Sequence, residues 1–82
     1  MSPLVFFSSK DESVLESISR MFPDKHRGRD LNFVSGLGYR FFKKTFNLDK
    51  KDLEEVKDFV GVYGYELSED FYDKNAYWVE PV

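Results

Sequence analysis

Cysteine is absent from this 82-residue chain, histidine and tryptophan occur once each, methionine twice and proline three times. Without a thiol there is no disulfide framework, no thiolate nucleophile and no sulfur ligand for a metal, a composition that fits a reducing, cytoplasmic compartment. A metal site would have to be built from His26 and carboxylates, and His26 lies in a run of cations, Asp24-Lys25-His26-Arg27-Gly28-Arg29-Asp30, that repels one. No metal and no cofactor are expected. Long hydrophobic runs are also missing. The apolar start, Leu4 to Phe7, is too short to span a bilayer or act as a signal peptide, and no basic region precedes it. Hydrolytic chemistry needs a nucleophile beside a base, paired carboxylates or a metal, and none of these patterns occurs. No catalytic residue is assigned, and the chain reads as non-enzymatic.

What the chain does have is aromatic and charged side chains. Aromatics make up 18% and hydrophobic residues 41% of the chain, which is enough apolar surface to fold. A core this small cannot be divided, so residues 1–82 form a single domain. The net charge of -3 conceals an asymmetry. From Arg20 to Lys51 nine Lys or Arg stand against three Asp, a net of +6, whereas from Asp52 to Val82 two Lys stand against nine acids, a net of -7. Such a division points to a polyanionic partner for the basic part, or to self-association between basic and acidic faces.

Leu4 to Ser8 is rich in strand formers and reads as a buried strand. Ser9-Lys10-Asp11-Glu12 has the capping-box pattern, which predicts a helix from Lys10 with Val14, Leu15, Ile18, Met21 and Phe22 on its apolar side and Pro23 as its stop. A polar loop follows. Leu48 to Asp52 opens a second helix with Asp49 as N-cap, an apolar stripe of Leu53, Val56, Phe59, Val60 and Tyr63, and Gly64 at its C-terminal cap. Asp52, Glu54, Glu55 and Asp58 are assigned to its exposed side. Tyr65 to Leu67 reads as a short edge strand. Ser68 to Asn75 reads as an acidic loop whose Phe71 and Tyr72 tuck onto the core, and Ala76 to Val79 as the last strand, with Pro81 ending its pairing.

Residues 31–46 admit two readings. As a hairpin, strands Leu31 to Ser35 and Tyr39 to Phe46 flank Ser35-Gly36-Leu37-Gly38. As a helix, Asn32, Ser35, Gly36, Tyr39, Arg40, Lys43 and Asn47 form a polar stripe at near-helical spacing. Two glycines inside a helix cost about 1 kcal/mol each relative to alanine, which favours the hairpin. The hairpin predicts an α+β fold, a ferredoxin-like βαββαβ sandwich with both helices on one face of an antiparallel sheet. The helical alternative is βααββ.

With the strands in that order, Gly38-Tyr39-Arg40-Phe41-Phe42 resembles the third-strand signature of the RNA-recognition-motif family, a glycine followed by aromatics at alternate positions. Leu4-Val5-Phe6-Phe7 stands for the first-strand motif, with Phe6 at the aromatic position if the register shifts by one. The chain departs from the family in carrying Arg40 between the aromatics and Lys44 in place of a closing aromatic. The resemblance implies that Tyr39 and Phe41 stack bases on an open sheet face while Arg40, Lys43 and Lys44 approach phosphates. Lys25, Arg27 and Arg29 of the preceding loop complete the candidate nucleic-acid-binding set. The composition is also similar to that of small accessory proteins of lytic phages, which implies a regulator or inhibitor of a host factor. The resulting expectation is a small regulatory protein that binds nucleic acid, RNA before DNA, and is capable of forming a homodimer. The competing expectation is a protein-binding inhibitor or adaptor that acts through the acidic C-terminal half without nucleic acid.

Overall fold

The computed structural model describes residues 3–26, 32–36 and 39–82, giving the backbone alone for 32–36 and Tyr39. Its elements are β1 (Leu4–Ser9), α1 (Glu12–Met21), β2 (Asn32–Gly36), β3 (Tyr39–Asn47), α2 (Lys50–Val62), β4 (Tyr65–Glu69) and β5 (Ala76–Pro81). Residues 32–36 and 39–47 are paired strands, with Gly36 opposite Tyr39 and Asn32 opposite Lys43, so the helical reading of this stretch is set aside. The strand order is β2-β3-β1-β5-β4. β1 runs antiparallel to β3, and β3 antiparallel to β2, as in a ferredoxin-like sandwich.

The end of the chain elaborates that plan. A βαββαβ sandwich closes with one strand beside β1. Here a β4–β5 hairpin closes it, with β5 parallel to β1 and β4 displaced to the edge. The sheet is therefore mixed and not antiparallel as expected, because the extra strand reverses the chain once more before it reaches β1. Gly64 makes the reversal from α2 into β4 at φ 83°, a backbone state that other residues adopt only at a cost. The Val82 amide donates to the Gly64 carbonyl and ties the far end of β5 to this corner.

Strand pleating divides the residues between two faces. Val5, Phe7 and Ser9 of β1 lie opposite Phe46, Lys44 and Phe42 of β3, and directly opposed residues share a face. This side packs on the helices. Val5, Phe7, Phe46 and Val79 join Val14, Leu15, Ile18 and Phe22 of the α1 region and Leu48, Val56 and Val60 of the α2 region in one core. The Phe7 and Phe46 rings meet at 5.3 Å between centroids, tilted by 55°.

α1 starts two residues later than the capping-box pattern predicts. Ser9 remains in β1, where its hydroxyl donates to the Val79 carbonyl across the sheet and accepts from the Asp11 amide. Asp11 is the N-cap instead, its carboxylate accepting from the Ser13 amide at 3.0 Å. α2 begins as its sequence indicates. The Asp49 carboxylate accepts from the Asp52 amide at 2.9 Å, and the Asp52 carboxylate accepts in return from the Asp49 amide at 3.4 Å. Asp52, however, is buried, because its carboxylate also takes the Lys25 ammonium at 2.8 Å. Its place on the exposed side is corrected accordingly. Asp49→Ala removes one half of this reciprocal cap and is expected to cost about 1 kcal/mol, read as a lower urea midpoint at unchanged slope. An unchanged midpoint would show that the cap contributes nothing.

Among the described residues, the carboxylates of Asp11, Asp52 and Asp70 are held below their usual range. For Asp11 the first cause is the hydrogen bond from the Tyr65 hydroxyl, for Asp52 the bond from Lys25, and for Asp70 the bond from the Tyr72 amide. A carboxylate whose folded pKa is depressed contributes stability above its unfolded value, and that contribution is lost as pH falls through the folded value. Melting temperature is therefore expected to drop as pH falls from about 5 toward 2. Tyr65 is shifted the other way, raised by the same bond to Asp11, so its contribution is full below its unfolded pKa and fades as pH rises through the folded one. Tyr65→Phe is expected to flatten part of the acid limb and the whole of this alkaline contribution. Identical pH profiles for Tyr65→Phe and the parent protein would refute the assignment.

Candidate nucleic-acid interface

The sheet face turned away from the core is built by the residues between the core positions. On β3 these include Phe41 and Lys43, on β1 Phe6 and Ser8, and on β5 Ala76 and Trp78, because Phe6 pairs with Ala76 and Ser8 with both Lys43 and Trp78. Ser8 is the small residue between two large ones. Over it the Phe41 and Trp78 rings meet at 4.8 Å between centroids and 57° between planes, bridging β3 and β5 across β1. The Lys43 ammonium sits 4.7 Å from the centre of the Phe6 ring, a cation–π contact. Phe6, Phe41, Lys43 and Trp78 are all half-buried, each leaving part of its side chain to solvent.

Asp70, just beyond β4, fixes one side of this group. One carboxylate oxygen accepts from the Trp78 indole N–H at 3.1 Å and the other from the Tyr72 amide at 2.8 Å. The bond from the Tyr72 amide, followed by that from the Trp78 indole, holds the Asp70 carboxyl low, and Lys43 assists from nearby. The indole orientation is thus locked by a charged acceptor. Farther along the β4–β5 ladder, Glu66 and Glu80 lie directly opposite each other, both exposed. The face is therefore bipolar, aromatic and cationic over β3 and β1 and acidic toward the β4 edge.

The structure distributes the sequence-derived site residues as follows. Phe41 and Lys43 are on this face. Arg40 is exposed but occupies the alternate, helix-side register, as does Lys44. Lys44 is only 6% exposed, between Phe42 and Phe46 and opposite Phe7, a position that takes a lysine by burying its aliphatic stem. Lys25 is committed to Asp52 in the first turn of α2. Tyr39 begins β3, and its side chain lies outside the described residues, as do Arg27 and Arg29 altogether. On β1, Phe6 shares the face of Phe41, and Val5 is in the core. Trp78 was missed, although its alternation with the core residue Val79 in Ala76-Tyr77-Trp78-Val79 was a usable signal.

No family model matches the chain, and no curated protein or solved structure matches it. The functional reading therefore stands on the geometry. Among the described residues no group of three or more His, Cys, Asp or Glu is placed to hold a metal ion, and no helix is long and apolar enough to cross a membrane.

Phe71 and Tyr72 correct a further expectation. They are 90% and 93% exposed and do not tuck onto the core. The reason is the local backbone. Asp70 accepts from the Tyr72 amide and Asp73 from the Asn75 amide, while the Asp70 amide donates to the Ala76 carbonyl, and these short-range bonds close the turn with its side chains outward.

Proposed function

We propose that this protein is a non-enzymatic regulator that binds single-stranded nucleic acid, RNA in preference to DNA, on the helix-free face of its sheet. The observation that carries the reading is the Phe41–Trp78 ring pair beside Lys43 and Phe6. Every base has a π-face, and aromatic side chains on an open sheet bind unstacked bases with little regard to sequence. Lys43 supplies the cation beside the rings. The carboxylates of Glu66, Glu80 and Asp70 repel phosphate, so the strand's backbone runs on the β3 side and its bases lie toward Trp78. A duplex keeps its bases stacked and offers nothing to these rings.

RNA is favoured over DNA by the resemblance of the β3 segment to the RNA-recognition-motif family. Regulation of a host factor in the manner of a phage accessory protein is the corresponding biological role. The test is fluorescence anisotropy with oligo-U, oligo-dT and a hairpin duplex over a salt series. Tighter binding to oligo-U than to the duplex, weakening steeply with salt, is expected. Absence of binding to either single strand at low salt would refute the proposal.

A further inference from the structure

The turn between β4 and β5 presents Phe71 and Tyr72 to solvent as an edge-to-face pair, ring centres 5.0 Å apart and planes at 77°. Two neighbouring aromatics at least nine-tenths exposed on a small domain mark a contact surface. The turn that carries them is already ordered by the Asp70 and Asp73 hydrogen bonds and is tied to β1 through the Phe6 amide and Asn75 carbonyl at 3.0 Å. Little conformational entropy remains to be lost on docking, which is the property of an anchor.

We infer that Phe71 and Tyr72 anchor a two-fold homodimer, the aromatic pair of each copy packing on the Phe6, Phe41, Lys43 and Trp78 face of the other. The charge pattern supports a second copy as the occupant. The anchor is flanked by the carboxylates of Glu69, Asp70 and Asp73, whereas the receiving face presents the Lys43 ammonium over the Phe6 ring. The area supports it too. A Phe or Tyr buries about 150–250 Å², so two reciprocal anchors with the surface they cover account for about 1,200–2,000 Å², the size of a stable interface. A single anchor inserted into an unrelated partner reaches about half of that. Reciprocity also closes the assembly, since each copy gives the same contact that it receives and no unpaired anchor is left to propagate a fibre. Dimer formation and nucleic-acid binding then use one face and exclude each other, although the dimer does not depend on the nucleic-acid reading.

The decisive measurement is sedimentation velocity on nucleic-acid-free protein from micromolar to near-millimolar concentration. The parent chain is expected to pass from monomer to a species of twice its mass. Phe71→Ser with Tyr72→Ser, at positions too exposed to affect folding, is expected to weaken association by about a hundredfold or more. Lys43→Glu, on the receiving face, is expected to weaken it by about tenfold with the anchor intact. Circular dichroism confirms the fold of each variant. A parent protein that stays monomeric throughout overturns the inference. So does a doubly substituted variant that associates like the parent, or a mass increase that appears only when an oligonucleotide or another protein is added.

Discussion

Phe46→Ala is expected to cost about 3–5 kcal/mol and to leave little or no cooperative unfolding transition at 25 °C. Phe46 is fully buried, opposite Val5 in the β1–β3 ladder and in ring contact with Phe7, and His26 forms a bridge to its backbone with its own ring edge-on at 6.4 Å. It holds together the β1–β3 pair, the loop after α1 and the lead into α2 at Leu48. Alanine leaves a cavity between elements that cannot close without breaking strand pairing, so relaxation recovers little of the loss. A domain of this length has a total stability of about 4–12 kcal/mol, which makes the loss comparable with the whole. Phe46→Leu keeps most of the volume and is expected to cost less than half as much. Urea unfolding of the two variants against the parent measures both. A cost below about 1 kcal/mol for alanine would show that the core lies elsewhere.

The second large effect concerns the open face. Phe41→Ala combined with Trp78→Ala is expected to reduce affinity for oligo-U by about a hundredfold or more, each stacked base being worth about 1–3 kcal/mol. Neither ring belongs to the helix-side core, so circular dichroism should report a retained fold. Adjacent lysines provide the sharper test. Lys43→Met is expected to lower affinity and reduce the salt slope by about one, as loss of a single phosphate contact does. Lys44→Met, one residue along and on the other side of the pleat, is expected to leave both unchanged. Equal effects at the two positions would mean that the strand's face assignment does not govern binding, and the proposed interface would have to be abandoned.

This pair of lysines also shows how far the residues by themselves inform the site. In the sequence Arg40, Lys43 and Lys44 form one cationic group with Tyr39 and Phe41. A strand separates them, because successive side chains point to opposite faces, and the division follows once Phe46 is known to face the core. Trp78 came from outside the basic segment. It reaches Phe41 because β5 pairs with β1 and only Ser8 stands between, a juxtaposition of residues far apart in the chain that no local pattern encodes. Asp52 was placed on a solubilising face by helical periodicity. Its burial depends on Lys25, brought to it by the antiparallel contact of His26 with Phe46.

Outside residues 31–46, the sequence determined where the helices and strands fall, the Asp49 cap, the Gly64 reversal and the division into basic and acidic segments. Each of these depends on propensity, periodicity or capping within a few residues, which neighbours along the chain decide among themselves. Only the tertiary structure decided that β5 takes the place beside β1, that Phe6, Phe41, Lys43 and Trp78 converge on one open face, and that Phe71 and Tyr72 project outward. Those outcomes depend on strand register and on hydrogen bonds between distant segments. A change of one residue in register exchanges the two faces without altering any local pattern.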